Sequence, residues 1–195
     1  MTNYKRKKTL FSPNNKTETL EFAGITFVIS RRRVKYPRIE FKSTGPVLIL
    51  SKRTNPLTVL EENKKSILKK CAKIKSQVED AREIPIMDRS DREFYEMVTR
   101  YLEQYAKILK VKYKEIKYRK MKRRWGSCRS TGDITLNKYL RFVPEELLAY
   151  IVFHELVHLR VRGHNKKFKA IIARQFPHYR ALDKELTLYG FRLLS

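Results

Sequence analysis

The sequence predicts an α+β fold in which an N-terminal antiparallel β-meander and linking helices precede a core built on one apolar helix. Three observations carry that expectation. Short runs rich in β-branched and aromatic residues fill 22–52, and helical spacing of apolar residues takes over from 57 to 109. Near the C-terminus, EELLAYIVFHELVHLRVR is apolar on nearly every side, which only a buried helix tolerates.

Taken in order, residues 1–20 are polar and basic, with Pro13, Asn14 and Asn15, and read as a flexible arm. Residues 21–110 hold the meander and two helices. The strands are expected in FAGITFVISRRR, VKYPRIEFKS and PVLILSK, separated by Pro37, Gly45 and Pro46; RIEFK alternates apolar and charged residues as a half-buried strand does. Asn55 followed by Pro56 opens the first helix, since Asn caps and Pro suits the first helical position. Its apolar residues at 57, 60, 67, 68, 71, 74 and 78 predict one helix up to the break at REIPIMD. Ser90 to Glu93 is a capping box for the second.

Residues 111–195 form the core region, expected to join 21–110 in one compact unit. The stretch 107–124 carries ten Lys or Arg and one Glu, with Tyr113 and Tyr118 interleaved, and reads as a strand with apolar contacts. Gly126 and Ser127, then Ser130 to Asp133, are turn chemistry, and ITLNKYL is a strand. Pro144, Glu145 and Glu146 open the apolar helix, which is expected to run from 144 to 162. NKKFKAIIARQF and YRALDKELTLYG continue as helices around Pro177.

Composition narrows the setting. Forty-five Lys and Arg against 20 Asp and Glu give +25, a balance that attracts polyanions. Two cysteines, Cys71 and Cys128, make no disulfide framework and suit a reducing cytoplasm. No apolar run approaches a membrane span, and no secretory signal is read at the N-terminus. Glycine loops for nucleotides, G-x-S-x-G and paired-cysteine fingers are absent from the sequence.

Three of the four histidines stand at 154, 158 and 164. Four residues apart on a helix, His154 and His158 project from one face and can reach one ion. Glu155, about 100° round the helix, can instead accept a proton from water at that ion. Gly163 can end the helix in a left-handed turn and bring His164 back as a third ligand; Glu185 or Asp183 on the following helix are the competitors for that place. Three polar groups inside IVFHELVHL would be costly without such a partner. The ligand types favour Zn2+.

RRWGSC at 123–128, DITLN at 133–137, VPEELLAYIVFHELVHL and GHNKKF at 163–168 together resemble the YgjP-like family of zinc metallopeptidases. The resemblance covers most of 20–190 and implies a zincin-like core. It implies His154, His158 and His164 as zinc ligands, Glu155 as catalytic base, and an ITLN strand whose edge can pair with a peptide. The family is similar to SprT-like proteases, some of which act on proteins attached to DNA. Metzincins share the histidine spacing, but Val161 replaces their glycine and no methionine follows His164. The function expected is a zinc metallopeptidase acting on a protein or peptide. The alternative is a nucleic-acid-binding protein with a structural or vestigial metal site, or a protease recruited to nucleic acid. Lys120, Lys122, Arg123 and Arg124 would touch phosphate in either case, with Tyr113 or Tyr118 stacking on bases.

Overall fold

The computed structural model describes residues 18–42 and 45–194. Residues 1–17 of the expected arm lie outside them, and Glu18–Leu20 belong to a strand. The chain divides into two compact units, 1–75 and 76–195. The boundary expected at 110 is therefore displaced, because the helix before it shares its apolar face with the C-terminal core.

In the first unit, β1 (Glu18–Phe22), β2 (Ile25–Arg31), β3 (Arg38–Lys42) and β4 (Gly45–Leu50) form one sheet in the order β1-β2-β4-β3. This corrects the antiparallel meander: β1 with β2 and β3 with β4 are antiparallel, but β2 and β4 run parallel. The reason is burial. Val47 to Leu50 are all buried, so β4 takes an inner position, while the charge-alternating β3 is left at the edge. α1 (Pro56–Glu62) is capped by Asn55, and α2 (Lys64–Glu83) follows after an interruption the sequence did not signal. At that interruption the Asn63 amide donates to the Val59 carbonyl oxygen at 2.8 Å. Phe22, Phe27, Ile29, Leu48, Leu50, Val59, Leu60 and Ile67 make this unit's core.

The second unit is organised by α3 (Asp91–Leu109) and α4 (Glu145–Val157). The Ser90 and Glu93 capping box is present, and α3 buries Phe94, Val98, Leu102, Tyr105 and Leu109 in the core that α4 enters on all sides. Leu147, Leu148 and Leu156 are fully buried, each contributing about 1.5–3 kcal/mol. β5 (Glu115–Arg119), β6 (Gly126–Cys128) and β7 (Asp133–Asn137) form a sheet in the order β5-β7-β6. β7 is parallel to β5 and antiparallel to β6. Both its edges are occupied, so among the described residues the sheet's free edges lie on β5 and β6 and not on ITLN. A 3-10 turn (Lys138–Phe142), α5 (Lys166–Gln175) and α6 (Tyr179–Leu193) complete the unit. No helix among the described residues is long and apolar enough to cross a membrane.

Candidate metal centre

α4 is shorter than its sequence suggests, ending at Val157 rather than 162. His158 nevertheless keeps right-handed helical angles, φ −63° and ψ −19°, so the four-residue relation to His154 survives. Tight bonds from the Leu159, Arg160 and Val161 amides to Leu156 and Val157 carbonyls close the turn. Gly163 then takes φ +73°, the left-handed conformation that favours glycine, and His164 returns toward the helix.

The three imidazoles converge. Their potential ligand atoms all lie within 4.8 Å of one another, and Nε2 of His154 and His164 are 3.0 Å apart. Nδ1 of His158 lies 3.4 Å from the Val161 carbonyl oxygen, a contact that favours the proton on Nδ1 and leaves Nε2 as a donor to a metal. Burial, then the neighbouring imidazoles His158 and His164, push His154 down to about 3. It is therefore neutral, the form that ligates.

Phe168 is the residue that sequence reading missed here. Its ring lies 4.7–4.9 Å, centroid to centroid, from all three imidazoles. Asn165 places it: the side chain accepts from the Phe168 amide at 3.0 Å and caps α5. The signal was present as an Asn cap three residues before an aromatic in GHNKKF.

Glu155 is 5% exposed, and burial pushes its carboxyl up to about 8, with Arg124 pulling the other way. Its Oε2, like Nδ1 of His154, is buried without a hydrogen-bond partner. Water held by a divalent ion would satisfy the orphaned Glu155 oxygen, and three converging imidazoles are a zinc donor set, so the residues present fit zinc. β6 crosses close over the carboxylate. A Cβ added at Gly126 would lie 2.5 Å from Oε1 of Glu155, so only glycine leaves room.

The loop before β6 is held by Asn137, which is 0% exposed. Its amide donates to the Met121 and Arg124 carbonyl oxygens at 2.7 and 2.9 Å, and its oxygen accepts from the Met121 and Tyr139 amides. Trp125 anchors the same loop, its indole donating to the Leu186 carbonyl at 3.3 Å. Lys120, Lys122, Arg123 and Arg124 are all exposed, and none has a carboxylate within 4.0 Å among the described residues.

Other expectations are corrected or confined. Tyr118 packs on Phe94 and Tyr95, with burial pushing its hydroxyl up to about 12, and the partly buried Tyr113 packs on the same core. Asp183 accepts from the Tyr150 hydroxyl at 2.7 Å, and neither it nor Glu185 joins the cluster of potential ligands. His178 pairs with Glu146 at 2.6 Å. Cys128 has its thiol pushed up to about 11, by burial first and then by Glu155 and Asp133.

The chain is similar to several known proteins. Over 64 residues the chain is 33% identical to the UTP pyrophosphatase of Escherichia coli K12, covering 33% of this chain and 38% of that relative; it thus spans well under half the relative's length. Among solved structures, the metallopeptidase zymogen abylysin of Pyrococcus abyssi is 28% identical, with a TM-score of 0.41 over 47% of this chain and 90% of its own. The zymogen jannalysin of Methanocaldococcus jannaschii is 24% identical, with a TM-score of 0.42 over 54% and 94%. Residues 31–189 match the family described as YgjP-like, metallopeptidase domain. With that match spanning most of the sequence, the chain belongs to the YgjP-like metallopeptidase family.

Proposed function

We propose that this protein is a zinc-dependent peptidase of the cytoplasm, in which His154, His158 and His164 hold the ion and Glu155 is the general base. The observation that supports it most is the convergence of three imidazoles beside a buried carboxylate with an orphaned oxygen. Bound zinc would supply a Lewis acid for the scissile carbonyl and for water. Glu155 takes the proton from the attacking water and returns it to the leaving nitrogen. The apolar walls of α4 keep bulk water from the carboxylate. The free edge of β6, with Gly126 over Glu155, suits an extended peptide that pairs strand to strand.

The relative named as a UTP pyrophosphatase motivates a second reading, hydrolysis of a phosphoanhydride. The unpaired Lys120, Lys122, Arg123 and Arg124 favour it, since an anionic substrate would find four cations on a fixed loop, Arg124 among them acting on Glu155. The same four residues would serve the recruitment of a protease to nucleic acid. One experiment separates the hydrolytic readings. The metal-loaded protein is given denatured protein and, separately, UTP, with and without chelator, beside E155Q. Chelator-sensitive cleavage of protein, lost in E155Q with zinc content unchanged, is expected. Pyrophosphate release from UTP without proteolysis would transfer the conclusion to the second reading, and full activity in E155Q would remove the base.

A further inference from the structure

Among the described residues, the most exposed large apolar side chain is in the first unit: Tyr36, at 69% exposure. It sits in the 32–37 connection between β2 and β3, flanked by Arg32, Arg33 and Lys35, all exposed. The Lys35 ammonium lies 5.2 Å from the centre of the Tyr36 ring.

Arg31, at the end of β2, joins this turn to a second basic loop. Its guanidinium donates to both oxygens of Glu18, at 2.9 and 3.0 Å, and to the carbonyl oxygens of Ser51, Lys52 and Thr54 at 3.2–3.4 Å. The Arg32 amide donates to the Leu50 carbonyl at 2.9 Å. Arg31 is thus spent on structure and neutralised by Glu18. Its bonds bring the exposed Lys52 and Arg53 beside the base of the turn. Among the described residues, Arg32, Arg33, Lys35, Lys52 and Arg53 have no carboxylate within 4.0 Å.

Five uncompensated cations gathered by a rigid brace repel one another, and a polyanion relieves that repulsion. The exposed ring selects among polyanions. Phosphate alone needs no aromatic face, whereas an unstacked base gains about 1–3 kcal/mol on one. Insertion into an anionic membrane would call for several exposed apolar side chains around the tyrosine, and its neighbours are cationic. We propose that the 32–37 turn and the 51–54 loop bind single-stranded nucleic acid, with Tyr36 stacking on a base and Arg32, Arg33, Lys35, Lys52 and Arg53 contacting the flanking phosphates. The proposal rests on residues of the first unit alone and does not depend on the hydrolytic reading.

The test is fluorescence anisotropy of the full chain with labelled oligo(dT) and with a duplex, across a salt series. Wild type is expected to bind the single strand more tightly than the duplex. Y36A should weaken single-strand binding about tenfold with an unchanged salt slope, while Y36F retains it, since the π-face and not the hydroxyl carries the contact. R33A/K35A should flatten the slope of log K against log salt by about 1.4, from roughly 0.7 per phosphate contact on a single strand. Circular dichroism checks that each variant is folded. Equal affinity of Y36A and wild type, loss only on neutralising Lys120, Lys122, Arg123 and Arg124, or binding to anionic vesicles but not to oligonucleotide would each overturn the proposal.

Discussion

Substituting Gly126 by alanine tests whether the backbone of β6 sets the position of Glu155. The added Cβ would stand 2.5 Å from Oε1, 2.7 Å from Cγ and 2.8 Å from the carboxyl carbon. Ordinary contact begins at 3.4 Å, so the oxygen must retreat by roughly 0.9 Å. Flanking β-strand pairing to β7 and the packed helix beneath resist sharing that displacement. A misplacement of about 1 Å in a catalytic group costs on the order of a hundredfold, or about 2.7 kcal/mol of transition-state stabilisation. The expected result for G126A is therefore a fall of about two decades in kcat/KM on a denatured-protein substrate, with zinc stoichiometry unchanged, because no histidine is touched. Stability should drop by about 1–3 kcal/mol from overpacking, which urea unfolding measures. Activity within threefold of wild type would refute the reasoning, as would loss of bound zinc from a folded variant.

Four further outcomes are expected. In metal-free protein, Glu155 holds its proton up to about pH 8 against 4.5 in the unfolded chain, so its contribution to stability is lost as pH rises through that window; E155Q should gain on wild type in urea midpoint between pH 6 and pH 9. His154 gives the opposite limb: its folded value of about 3 lies below 6.5, so metal-free stability falls as pH drops from 6.5, and a midpoint flat over pH 4–6.5 in both wild type and H154A would contradict it. F168A should weaken zinc binding by about 10–100-fold in a competition titration, the range for residues that orient ligands, and unchanged affinity would leave Phe168 a simple core residue. N137A strands the Met121, Arg124 and Tyr139 backbone groups that Asn137 serves; at about 1–3 kcal/mol per unsatisfied buried group, a loss of about 3 kcal/mol or more in urea unfolding is expected.

The candidate site was largely legible because its chemistry is local. His154 and His158 are set by helical periodicity, and Gly163 marks where the chain turns to deliver His164. Asn55 and Ser90 capped the helices that follow them for the same reason. What stayed hidden depended on contacts distant in sequence. Nothing local in WGSC says that Gly126 lies in a strand over Glu155, because its constraint is a carboxylate 29 positions away. Asn137 reads as a strand end, and its burial follows only from the loop that folds over it. The parallel pairing of β2 with β4 was missed because adjacent strands suggest hairpins, whereas the fully buried VLIL run needed neighbours on both sides. α4 stops at Val157 although its apolar pattern continues, since the turn to Gly163 needs residues that pattern cannot announce.

The brevity of β6 has a consequence for self-association. Three residues expose too few unpaired amides and carbonyls for another copy of the chain to zip onto the sheet and stay there. The opposite border is β5, where Glu115 and Lys117 stand at the rim and discourage the same event. The sheet is thus guarded against fibrous growth at both margins, while one margin remains open to a short visiting strand that dissociates readily.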